Sequence, residues 1–162
     1  MPMPFYMTLE GYDQGAIEGS CDQAGREGTI LCQALTHDIS IPRDPQSGQP
    51  SGQRVHSALT ITKVFDKASP KLYQALTRGE RMKNVTMKWY RIDVTGTEEH
   101  YFTIKLEDAI VVSMKPSVPN CLDPHFASYG HMEDLSFTYR KIIWTWEPDG
   151  IESEDDWKVR KT

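Results

Sequence analysis

Cys121 and His125 stand four positions apart, close enough for a thiol and an imidazole to act as nucleophile and base. Their surroundings argue against it. Both sit in a proline-bounded segment, 116–129, with no nucleophile elbow and no oxyanion motif, so a hydrolase built on this pair lacks its frame. The five histidines, His37, His56, His100, His125 and His131, form no H-x-x-x-H and stand beside no C-x-x-C, so a zinc site would need ligands meeting across the fold. Surface or hydrogen-bonded histidines are the expectation. The glycine-rich stretch 43–54 lacks the G-x-x-x-x-G-K-[ST] spacing, and no G-x-G-x-x-G follows a strand and opens a helix. These residues predict no catalytic residue, no metal ligand and no cofactor.

The elements that position these residues belong to a chain of 162 residues, about the length of one domain, and a single domain over 1–162 is expected. Eighteen basic against 23 acidic residues give a net charge of −5, which removes nucleic-acid binding driven by overall positive charge. No run approaches the roughly 18 apolar residues of a spanning helix, so no membrane insertion is expected. The start MPMPFYMTLEGYDQG lacks the charged and apolar regions of a cleavable signal. Cys21, Cys32 and Cys121, odd in number and widely spaced, read as cytosolic thiols.

Period-2 alternation dominates the chain. Phe5, Met7 and Leu9 alternate with polar residues up to Gly11; a short strand is expected near 16–20 and a longer, bulged one over 29–41, ended by Pro42. The segment 43–54, RDPQSGQPSGQR, contains no large apolar residue and must be an exposed excursion. Strand character returns over 55–65 with Leu59 and Ile61 on one face. One short helix is predicted over 70–78: Ser69 as cap, Pro70 at the first position, Leu72, Tyr73 and Leu76 on one face, Gly79 at the end. Residues 85–90 and 101–106 form a hairpin around Gly96; 109–114 is a further strand, 116–129 a loop, and a long strand bearing Leu135, Phe137 and Tyr139 reaches Trp146 with a bend near Ile142. Trp89, Tyr90, Trp144 and Trp146 are expected to fill the core or a subunit contact. The acidic tail, 148–162, carries Ser153-Glu154-Asp155-Asp156, which reads either as the cap of a short terminal helix or as a frayed end. The sum is a mainly β domain, a barrel or two packed sheets with one flanking helix.

The segments PFYMTLEG, RDPQSGQPSGQRVH, KASPKLYQAL, KWYR and LSFTYRKIIWTW stand in this order from residue 4 onwards, and together they resemble the Hcp family, the tube subunits of the bacterial type VI secretion system. The resemblance implies a small β-barrel of two packed antiparallel or mixed sheets with one short α-helix and an extended exposed loop. It implies homohexameric rings stacked into a tube, expelled by a contractile sheath, with a structural and transport role and no catalysis. The implied partners are further copies of the chain, the tip spike protein, the sheath and baseplate, and effector proteins in the lumen. The implied location is the bacterial cytoplasm during assembly, then the outside of the cell without an N-terminal signal. Matching the family's extended loop, Asp44, Pro45, Gln46, Ser47, Gly48, Gln49, Pro50, Ser51, Gly52, Gln53 and Arg54 are the candidates for contacts between subunits or stacked rings. A phage-like tail tube protein, or a carbohydrate-binding β-sandwich using its exposed aromatics, shares parts of the same pattern.

Overall fold

The computed structural model describes residues 2–157; the basic end of the tail, with Lys158, Val159, Arg160 and Lys161, lies outside them. Eleven strands and one α-helix run in the order β1 (Phe5–Gly11), β2 (Gly15–Ile17), β3 (Ile30–Thr36), β4 (Ile39–Ser40), β5 (Val55–His56), β6 (Leu59–Val64), α1 (Ser69–Arg78), β7 (Arg81–Ile92), β8 (Glu98–Ser117), β9 (Met132–Thr138), β10 (Lys141–Trp146) and β11 (Ile151–Asp156). The main sheet has the order β11-β10-β8-β7-β1-β3-β6-β9, and β9 pairs back onto β8. Six strands therefore close a barrel, β10 and β11 extend it from β8, and β2 pairs with β1. Closure pairs the two end strands, so none of the six keeps a free edge. Every pairing is antiparallel.

Alternation does the packing. Met7, Ile30, Leu59, Ile61, Met82, Val85, Met87, Leu106, Leu135 and Phe137 from the six barrel strands, with Ile142 from β10, are all buried in the core at 2% exposure or less, each contributing about 1.5–3 kcal/mol by leaving water. The helix begins at Ser69 and lies against β8 with Leu72 and Ala75 fully buried. Gly79 ends it in the left-handed conformation, φ 67°, and donates its backbone N–H to Leu76 O.

Ser69 does not cap the helix. The N-cap is Ala68 and makes no side-chain bond. The Ser69 hydroxyl instead donates to Glu133 Oε1 at 2.6 Å and accepts from Lys63 Nζ at 3.1 Å, because two buried charges beside it need partners more than the helix end does. Lys63 on β6 and Glu133 on β9 face each other across the ladder and form an ion pair, with Asp66 Oδ1 2.9 Å from the same ammonium.

The strand expected over 29–41 breaks into β3 and β4, and the one over 55–65 into β5 and β6. Three further boundaries differ from expectation, each because of a pairing far away in sequence. Residues 98–117 form one strand: its first part pairs with β10 and its last with β9. The chain bends at Asp108, which adopts φ 50° and is held by the Tyr12 hydroxyl at 2.6 Å and Arg140 Nε at 2.7 Å. Asp tolerates this region better than most residues. The long strand expected to reach Trp146 breaks into β9 and β10 opposite the same bend, with Tyr139 and Arg140 at the corner. The acidic tail forms neither a terminal helix nor a frayed end up to Asp156: Ile151–Asp156 is β11, paired along all of β10. Its acids meet cations there, Glu154 with Lys141 at 2.9 Å and Asp156 with Arg140. No helix among the described residues is long and apolar enough to cross a membrane.

Candidate assembly surface

The predicted excursion is an arm. Its root is the two-residue hairpin β4–β5, in which Ile39 faces His56 and Ser40 faces Val55. Below it, Ser57 N donates to Asp38 O at 2.9 Å and the Ser57 hydroxyl to the same carbonyl at 2.8 Å. Without a core residue, the arm keeps its shape through its own polar groups. Asp44 N donates to Gln49 O at 2.8 Å, Gly48 N to Asp44 O at 2.8 Å, and Ser51 N to Pro42 O at 2.8 Å, while Arg43 bridges Pro50. The Asp44 carboxylate accepts from Gln46 N at 2.9 Å, and that bond, followed by one from Ser47, holds its pKa below the usual carboxylate value. Gly48 takes φ 74°, the turn position that a side chain would strain.

Ten of the eleven candidate residues, from Asp44 to Gln53, are exposed. Arg54 is different: it anchors the arm, with Nε 2.7 Å from Asp155 Oδ2 and Nη2 2.7 Å from Asp156 O on β11. The arm also carries an exposed apolar set: Ile39 in β4, Ile41 just beyond it and Val55 in β5 are 38%, 56% and 48% exposed. Exposed β-branched residues on a self-bonded polar arm make a surface suited to a partner.

The sequence reading missed the residues that fasten the arm. His56 is 7% exposed; its Nδ1 lies 2.6 Å from the Tyr139 hydroxyl and its Nε2 2.6 Å from Asp155 Oδ2. His37 Nε2 lies 2.9 Å from the same hydroxyl. Burial first, then the neighbouring His56, pushes the His37 pKa down, whereas the Asp155 carboxylate is held low chiefly by Arg54. Four residues spread from 37 to 155 leave no local signature.

Cys121 and His125 remain apart from this. Cys121 is exposed, and His125 Nδ1 is engaged by Asp123 Oδ1 at 2.8 Å on a short 3-10 turn, Pro124–Phe126. Of the aromatics, Trp89 and Trp144 pack on the core, while Tyr90 and Trp146 lie against the Arg26 and Arg91 guanidiniums at 3.6 and 5.0 Å.

Comparison with known proteins agrees with this architecture. Residues 6–146 match the family described as Type VI secretion system effector, Hcp. The chain is 50% identical over 167 residues to the major exported protein of Pseudomonas aeruginosa, covering 98% of this chain and 97% of the relative. A crystal structure of an Hcp protein superposes with a TM-score of 0.88 at 37% identity, over 96% of this chain and 99% of the other. A secreted Hcp protein from Pseudomonas aeruginosa gives 0.79 at 41% identity, over 96% and 99%. A closed six-stranded barrel with one helix and a fastened arm, matched over nearly its whole length by these proteins, places the chain in the Hcp family of the type VI secretion system.

Proposed function

We propose that the chain works as a structural subunit, assembling into homohexameric rings that stack into a tube, and that residues 44–54 contact neighbouring copies. The observation that carries this reading is the arm, which stays exposed over residues 41–53, holds its own shape and is anchored at Arg54. Nothing in the barrel's packing requires it. A ring is a heterologous assembly in which one surface meets a different one on the next copy, and a projecting arm suits that geometry. Polar contacts of modest affinity, multiplied over many copies, allow a tube to form and later come apart.

The partners that follow are further copies of the chain, the tip spike, the contractile sheath and baseplate, and effectors in the lumen. The chain then acts as one domain, without catalysis, assembling in the bacterial cytoplasm before export. The test replaces residues 46–53 with a short Gly-Ser turn. The domain should stay folded, with unchanged far-ultraviolet circular dichroism, while negative-stain microscopy shows loss of rings or tubes. Rings and export indistinguishable from wild type would refute the arm's role. Export that persists when the sheath is deleted, with a cytosolic marker retained inside the cells, would refute transport by a contractile apparatus.

A further inference from the structure

The bonds that fasten the arm form one continuous relay: His37 Nε2 to Tyr139 hydroxyl, 2.9 Å; hydroxyl to His56 Nδ1, 2.6 Å; His56 Nε2 to Asp155 Oδ2, 2.6 Å. Its ends belong to different parts of the molecule. His37 and His56 lie at the arm root, Tyr139 at the corner between β9 and β10, and Asp155 on β11. The Trp157 ring lies over His56 at 4.7 Å between centroids.

The donors and acceptors of the relay fix where its protons sit. With both imidazoles neutral, one assignment satisfies every bond: His37 Nε2–H donates to the Tyr139 oxygen, the Tyr139 hydroxyl to His56 Nδ1, and His56 Nε2–H to Asp155. The opposite tautomer of His56 would turn a bare nitrogen toward a carboxylate oxygen. One added proton is accommodated without losing a bond. If His56 takes it, both its nitrogens donate, and the hydroxyl turns to donate to His37 Nε2. If His37 takes it, the original pattern stands.

A second proton cannot be accommodated. Both imidazoles would then donate to Tyr139, whose own hydrogen would have no acceptor within the relay, and two cations would stand 6.5 Å apart between ring centroids. Among the described residues, the charged groups facing the pair are Asp38 beside His37, and Arg54 and Asp155 beside His56, with Arg140 beyond them paired to Asp156. Asp155 is already shared between Arg54 and His56, so it compensates one imidazolium and not two.

We propose that His37, Tyr139, His56 and Asp155 form a one-proton latch, which keeps the arm fastened to the barrel through the first protonation and releases it at the second. The sign agrees with the lowered pKa of His37: the fastened state resists a proton that the free arm accepts, so fastening weakens as pH falls below the ordinary histidine value of about 6.5. The latch concerns the arm's attachment to its own barrel; its effect on rings rests on the arm's assembly role proposed above.

Hydrogen–deuterium exchange of the full chain, corrected for intrinsic rates, tests it between pH 7.5 and 5.0. Between pH 6.5 and 5.5 protection of the β4–β5 amides should fall about fivefold, because the released state binds one more proton than the fastened one, while protection of β1 and β7 holds. His37→Gln removes one titrating ring and leaves the His56–Asp155 bond in place, so that variant should keep its arm protected at pH 5.5. Wild-type protection that changes less than about twofold over the range, or an equal fall in His37→Gln, overturns the latch. Negative-stain images of the same samples separate the two readings. Released arms with rings intact support the latch and refute the arm as a ring contact; released arms with rings lost support both.

Discussion

Replacing Lys63 by Met is a sharp test of how the barrel is closed. Lys63 is fully buried and its ammonium faces Glu133 Oε1, Asp66 Oδ1 and the Ser69 hydroxyl. Met keeps most of the stem's volume and removes only the charge. Asp66 would retain the Ala68 N–H at 3.0 Å, and Glu133 would retain Ser69 at 2.6 Å. Glu133 is 1% exposed and its Oε2 has no hydrogen-bond partner among the described residues, so without the ammonium it becomes an uncompensated buried charge. Breaking one side of such a pair costs about 3–5 kcal/mol, a large share of the roughly 5–15 kcal/mol by which a domain is stable. With a urea slope of about 2 kcal/mol per molar, the unfolding midpoint should drop by about 2 M. Tryptophan fluorescence during urea unfolding at fixed protein concentration reads this directly. The double variant Lys63→Met, Glu133→Leu should recover most of the loss, because two apolar residues of similar volume replace the pair. A single variant that loses less than about 1 kcal/mol, or a double variant as unstable as the single, would refute the claim that these charges depend on each other.

Gly19→Ala should destabilise by about 2 kcal/mol or more, because a Cβ there would stand 2.4 Å from Thr29 O and 2.8 Å from Ile30 Cα, backbone that cannot step aside; thermal unfolding measures it. Leu76→Asp puts a carboxylate on the helix face that packs against the core, and it should yield unfolded or insoluble protein; a soluble variant of unchanged melting temperature would contradict that packing. In thiol labelling, Cys121 should react first and Cys32 only on unfolding, since burial pushes the Cys32 thiol pKa well up; reductant should leave the melting temperature unchanged, because all three cysteines are free.

What the amino-acid order determines without help is local. The alternation of Phe5, Met7 and Leu9 marks an inward face because neighbouring side chains on a strand must point oppositely, and β1 buries those three. Pro70 and Gly79 bracket a helix because one residue lacks a donor and the other accepts positive φ. A stretch such as 43–54, with nothing to bury, has to leave the core. None of these inferences needs a partner more than a few residues away.

The tertiary structure decides whatever depends on which distant edge is still unpaired. Residues 98–117 continue through Asp108 because β10 serves the first part and β9 the second, an exchange invisible in the alternation of either half. Residues 151–156 are too acidic to resemble a strand, yet the open edge of β10 and the cations Lys141 and Arg140 accept them as one. Lys63 follows the inward phase of Leu59 and Ile61, where a charge is normally excluded, and becomes admissible only because β9 sets Glu133 opposite it. His37, His56, Tyr139 and Asp155 meet for the same reason, since two hairpins and the barrel's corner bring them within hydrogen-bonding distance. Periodicity reports which way a side chain points; what it meets there is settled by barrel closure, a non-local event whose loop-closure entropy is offset only when all its strands pair together.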